Sequence, residues 1–161
     1  MNGSRTISAY FEEDHDRLDE LFTSFQSLKG SDFPGAKAAF EKFKIGLQRH
    51  IAWEEDVLFP LWEEKTGMSD GGPTFVMRAE HRQIGERLNA IHAQVAEGSP
   101  DSDPDEAALL QLLGAHNMKE ERVLYPAIDQ VTTPDECRDV FTKLDQIPVE
   151  RYGVFSGARQ P

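Results

Sequence analysis

The chain has 161 residues, with 17 Lys and Arg against 29 Asp and Glu, a formal charge of −12. That length is enough for one domain with its own core, and the acidity argues against nucleic acid or an anionic membrane surface as a partner. The longest apolar run, Val57 to Trp62, is interrupted by Pro60, so no membrane-spanning segment is expected. Met1 to Asp14 carries no apolar stretch of the kind a secretory signal needs. One cysteine, Cys137, excludes an intrachain disulfide and a Cys-ligated metal cluster. A cytoplasmic protein is the expectation.

Three groups of helix breakers divide the chain: Lys29 to Gly35, Thr66 to Pro73 and Gly98 to Pro104. The segments between them have helical periodicity and no strand-like alternation. The first carries Ile7, Phe11, Leu18, Phe22 and Phe25, and the second Ala36, Phe40, Phe43, Leu47, Val57 and Leu61. The third carries Met77, Ile84, Leu88, Ile91 and Val95, and the fourth Leu109, Leu113, Val123, Ala127 and Val131. Such stripes, joined by short connections, predict an all-α fold, an up-down-up-down antiparallel four-helix bundle. The bundle is expected over residues 1–132. A C-terminal tail over 133–161 should hold a short helix from about Pro134 to Gln146 and then turn irregular.

Polar residues interrupt every stripe. His15 falls in the first, His50 and Glu54 in the second, His81 in the third, His116 and Glu120 in the fourth. A buried carboxylate without a partner costs several kcal/mol or is forced neutral. Two carboxylates and four imidazoles facing one interior make sense around cations. Depth agrees: His15 lies about 14 residues before the first turn and His50 about 15 after it, or ~21 and ~22 Å along their helices.

A shift of 66 residues superposes the two halves. It carries His15 onto His81, His50 onto His116, Glu54 onto Glu120, Glu55 onto Glu121, Leu58 onto Leu124 and Pro60 onto Pro126. The chain reads as one helical hairpin used twice, offering a two-metal site with equivalent halves. Histidine and glutamate four residues apart share a helical face. Imidazole and carboxylate without thiolate suit iron or manganese, and zinc fits as well. A metal-bound imidazole needs an acceptor on its other nitrogen; Asp14 and Glu80, each preceding a seam histidine, are the candidates.

His15, His50-x3-Glu54, His81 and His116-x3-Glu120, with the Glu-Glu-x-x-Leu-aromatic-Pro endings of the second and fourth helices, resemble the hemerythrin-like, or HHE cation-binding, family over about residues 5–131. The resemblance implies two iron ions, oxo- or hydroxo-bridged. His15 and His50 would hold one, His81 and His116 the other, and Glu54 and Glu120 would bridge them. Oxygen-carrying hemerythrins add a fifth histidine one turn along the third helix, where this chain has Met77 and Gly85. The 2+2 set is more similar to that of bacterial iron-cluster repair proteins, although no Cys-bearing segment stands ahead of His15.

The implied function is to bind or sense a small ligand such as O2 or NO, or to handle iron. A di-iron enzyme, oxidase or peroxidase-like, or an iron-donating cluster-repair factor is the alternative, and a metal-free helical interaction module is a third. A ferritin-like oxidase is disfavoured, because it uses Glu-x-x-His pairs and more carboxylates. His92 is expected at the surface, off the seam. Trp53, Trp62, Tyr125 and Met77 are expected as packing residues and Cys137 as inert. The acidic runs Glu12 to Asp14 and Glu54 to Asp56, apart from Glu54, are expected as solvated faces.

Overall fold

The structure is a computed structural model and describes residues 5–153. Those residues are all-helical, with no strand among them. The first helix, α1, spans Ile7–Leu28. A long rod follows, made of α2 (Phe33–Trp53), a π-helical turn (Glu54–Leu58) and α3 (Phe59–Thr66). After a Gly-rich loop comes α4 (Pro73–Ala96). A second composite rod has the same build: α5 (Asp103–Lys119), a π turn (Glu120–Leu124) and α6 (Tyr125–Val131). The short α7 spans Pro134–Gln146, inside the expected tail. The irregular end expected beyond it begins with a 3-10 turn at Val149–Arg151, and residues 154–161 lie outside the described ones.

Local chemistry sets the ends. Thr6 caps α1 by accepting from Ala9 N at 3.0 Å, and Asp32 caps α2 from Gly35 N at 3.1 Å. Pro34, Pro73, Pro104 and Pro134 sit in the first turns, where their missing N–H costs nothing. Thr133 and Glu136 form a reciprocal capping box at α7. Gly67 ends α3 in the left-handed region, φ 74°.

Side-chain pairs give the relative directions. Phe25 meets Phe40, Phe22 meets Phe43 and Phe11 meets Trp53, with ring centroids 5.1, 4.8 and 6.0 Å apart, so α1 and α2 run antiparallel. Gln94 donates to Asp105 at 2.7 Å and Glu80 lies against His116 at 2.8 Å, so α4 and α5 do too. Two apolar clusters result. One, toward the α1–α2 and α4–α5 connections, includes Phe22, Phe25, Phe40, Phe43, Ile84, Leu88 and Leu109. The other includes Ile7, Phe11, Trp53, Leu58, Phe59, Leu124, Tyr125 and Ile128, and takes Val140 and Leu144 from α7. The polar residues of the stripes lie between the clusters. No described helix is long and apolar enough to cross a membrane.

One part of the expected pattern fails beyond Glu54 and Glu120. Val123, expected inside, is 62% exposed, and Val57, Leu61, Ala127 and Val131 are only half-buried. Leu58, Phe59, Trp62, Leu124, Tyr125 and Ile128 are buried instead. The π turns explain the shift. Each closes an i→i+5 bond, Phe59 N to Glu54 O and Tyr125 N to Glu120 O, and so holds one residue more than an α turn. The inward face moves on by one residue. Pro60 and Pro126 follow directly; each lacks the N–H for an i−4 bond and crowds the carbonyl it would have used, a known cause of broken helical registry.

Candidate metal centre

Between the two clusters the structure brings all six predicted residues together: His15 from α1, His50 from α2, Glu54 from the first π turn, His81 from α4, His116 from α5 and Glu120 from the second π turn. All are buried. The expected depth match holds, with ring centroids 4.7 Å apart for His15 and His50 and 5.0 Å for His81 and His116.

The four Nε2 atoms face inward and each meets a different carboxylate oxygen. His50 lies 3.5 Å from Glu54 Oε2 and His81 3.0 Å from Glu54 Oε1. His15 lies 3.2 Å from Glu120 Oε1 and His116 3.1 Å from Glu120 Oε2. Each carboxylate therefore turns one oxygen to the His15–His50 side and one to the His81–His116 side. Donor atoms of Glu54, His81, His116 and Glu120 lie within 4.8 Å of one another, as do those of His15, His50 and Glu120.

The four Nδ1 atoms face outward, and each has its own carboxylate. His50 donates to Asp14 Oδ2 at 2.8 Å and His116 to Glu80 Oε1 at 2.8 Å. His15 donates to Glu121 Oε2 at 2.7 Å and His81 to Glu55 Oε2 at 2.5 Å. Asp14 and Glu80 are thus where the sequence placed them. Glu55 and Glu121 were missed, and Glu55 and Asp14, expected on solvated faces, are buried. The 66-residue repeat held the signal, since it pairs Asp14 with Glu80 and Glu55 with Glu121. The π turn supplies the mechanism, because its extra residue lets Glu54 and Glu55 both point into the protein.

Charge in the site follows from burial against neighbours. Burial opposes an imidazolium at His50 and His116, yet the Glu54 and Glu120 charges beside them prevail and push both up to about 10. Burial likewise opposes ionisation of Glu120, and His116 overrides it, holding the carboxyl well below its usual range. Asp14 is lowered in the same way, by His50 against its burial.

Tyr125 was expected only to pack. It is fully buried, and its hydroxyl lies 2.5 Å from Glu54 Oε2, 2.8 Å from Glu120 Oε1, 3.2 Å from His50 Nε2 and 3.4 Å from His15 Nε2. Burial and the two carboxylates push the phenol well above its ordinary range. Position in a Leu-aromatic-Pro ending gave no hint of this, since the equivalent residue, Phe59, has no hydroxyl. His92, expected at the surface, is half-buried with its ring stacked 6.5 Å from Phe40, far from the centre.

The donor set fits divalent cations. Glu54 Oε1, Glu120 Oε2 and His81 Nε2 are buried and make no hydrogen bond, a costly arrangement unless something of opposite character joins them. A small space of about 10 Å³ adjoins these atoms, room for about one water-sized molecule. Leu18, Phe43, Leu47, Ile84 and Leu113 form its apolar wall.

Residues 6–128 match the family described as the Hemerythrin HHE cation binding domain. An iron-sulfur cluster repair protein YtfE of Yersinia pseudotuberculosis serotype O:1b is 31% identical over 91 residues, 53% of this chain and 41% of that protein. The protein of the same name from Yersinia pestis strain Pestoides F is 30% identical with the same coverage. These matches take in less than half of each relative's length. No solved structure matches the chain significantly.

Proposed function

Because the chain belongs to the hemerythrin HHE cation-binding domain family, we propose that it is a non-haem di-iron protein that binds or senses a small ligand such as O2 or NO, or handles iron. His15 and His50 would hold one iron, His81 and His116 the other, and Glu54 and Glu120 would bridge. The observation that carries this reading is the one-to-one pairing of four inward imidazoles with four carboxylate oxygens. The four long helical rods fit the up-down-up-down bundle of such proteins, with residues 133–161 as an added tail.

Iron supplies redox chemistry and coordination positions for a diatomic ligand. The chain supplies the rest. Asp14, Glu55, Glu80 and Glu121 hold the imidazoles by Nδ1, fixing which nitrogen faces the metal and raising its donor strength. The apolar wall and the small free space admit a diatomic molecule and exclude larger ones. Manganese or zinc would satisfy the same donors.

A second reading, an iron-sulfur cluster repair factor, draws on the printed names of the Yersinia relatives. It makes iron the cargo rather than a resident cofactor. Acidity disfavours nucleic-acid partners, and the single cysteine suits the cytoplasm. Metal analysis of protein from iron-rich culture, followed by NO titration of the reduced form, tests the proposal. About two irons per chain and a saturable spectral change are expected. Metal-free protein after iron reconstitution would refute it. Transfer of iron to an apo-ferredoxin, faster than free iron supplies it, would favour the repair reading.

A further inference from the structure

We infer that the two metal positions are unequal: the position ringed by Glu54, His81, His116 and Glu120 fills first, and the His15–His50 position fills last because the Tyr125 hydroxyl stands at its centre. This rests on the two-metal reading above and departs from the equivalent halves that the sequence repeat suggests.

Three observations carry it. The Tyr125 oxygen contacts the four inward atoms of one side and only those: Glu54 Oε2, Glu120 Oε1, His50 Nε2 and His15 Nε2, all at 2.5–3.4 Å. A cation on that side needs bonds of ~2.0–2.2 Å to the same atoms, so it claims the place the hydroxyl holds. On the other side Glu54 Oε1, Glu120 Oε2 and His81 Nε2 are buried with no hydrogen bond. Those atoms lose nothing when a metal arrives. Finally, the repeat places Phe59 where Tyr125 stands in the other half. Its ring stacks on His81, centroids 5.7 Å apart and planes 10° apart, and brings no oxygen. The difference between the halves is therefore one hydroxyl.

Loading the second position requires the phenol to withdraw and give up its two carboxylate contacts. Leaving a buried donor without an acceptor lowers an equilibrium constant by about tenfold or more, and that factor should separate the two affinities.

Co2+ is the probe, titrated into metal-free full-length protein and followed by calorimetry and visible absorption. The wild type should bind in two steps of one equivalent each, the second about tenfold or more weaker. Tyr125→Phe should tighten the second step toward the first and leave the first where it was. Phenylalanine already occupies the matching place in the other half, so the fold should accept it, and a thermal melt checks this. Phe59→Tyr should weaken the first step. Two indistinguishable equivalents in the wild type would overturn the inference. So would a Tyr125→Phe protein whose second step is weaker, because the phenol would then be a ligand rather than an obstacle. Absence of Co2+ binding in every variant would instead refute the metal centre itself.

Discussion

Glu121 reaches across from the second π turn to His15 on α1, accepting from Nδ1 at 2.7 Å over a sequence separation of 106 residues. Its repeat mate Glu55 makes the mirror-image contact to His81 at 2.5 Å. Each hairpin therefore orients an imidazole of the other, whereas Asp14 and Glu80 orient imidazoles of their own hairpins.

Removing these acceptors should weaken metal binding without removing a ligand. Glu55→Ala and Glu121→Ala should each lower metal affinity ~10–100-fold. Glu55 is buried while the Glu121 side chain is 34% exposed, so water can replace Glu121 more readily and the Glu55 variant should lose more. Competition with a chelator measures both. An equal or reversed order would mean that burial does not govern the contribution.

Alanine at the six inward residues should sort by position. Glu54→Ala and Glu120→Ala should each impair both metals, because each carboxylate turns an oxygen to both sides. His15→Ala and His50→Ala should weaken mainly one metal, and His81→Ala and His116→Ala mainly the other. Metal stoichiometry by elemental analysis decides. A Glu54→Ala protein with a normal pair of metals would end the bridging assignment.

Protonation and metal compete for the same imidazoles. In the metal-free protein His50 and His116 are pushed up to about 10 by Glu54 and Glu120 against their burial, so both are charged at neutral pH. Metal requires them neutral, and loading near pH 7 should release about two protons per chain, readable with an indicator in weak buffer. Stability follows the same linkage. A histidine raised from 6.5 contributes stability fully present below that value and lost as pH rises through about 10. Glu120, lowered from 4.5, contributes stability present above that value and lost as pH falls. Metal-free protein should melt highest between these two values and lower on the alkaline side. Metal binding should tighten over the same alkaline range, so loaded protein should gain most there. A metal-free melt that does not change between about pH 6 and pH 10 would contradict the raised imidazoles.

His92→Ala should leave metal content and spectrum unchanged. Its ring lies on Phe40 in the first apolar cluster, away from the polar layer. A drop in bound metal would place it in the centre after all.

Ending the chain at residue 132 should cost stability but keep the metals. Val140 and Leu144 are buried in the second cluster, and Phe141 stacks on Tyr10 at 4.9 Å. At ~1.5–3 kcal/mol for each large buried apolar side chain, the loss should be about 3 kcal/mol or more, seen as a lower urea midpoint. An unchanged midpoint would mean that α7 only rests on the surface.

Much of this was legible before any coordinates. Stripe periodicity gave the helical segments, and gaps in the stripes gave His15, His50, Glu54, His81, His116 and Glu120, because a buried polar side chain leaves a mark in an apolar pattern. Glu55 and Glu121 left none. They lie next to Glu54 and Glu120, where an α-helix would aim them about 100° away, and only the π turn brings them in. The same turn defeated the placement of Val123. Tyr125 was hidden differently: its ring satisfies the apolar stripe, and its hydroxyl shows only when distances are known.

The paired π turns also make each composite rod two helices out of phase by one residue. Deleting a single residue between Glu54 and Pro60, or between Glu120 and Pro126, should restore an unbroken α-helix and rotate all that follows by about 100°. Phe59 and Trp62, or Tyr125 and Ile128, would then swing away from the second cluster while the imidazoles stayed put. These two stretches should tolerate substitution far better than loss of length, and their length is the part of the molecule with least freedom to drift.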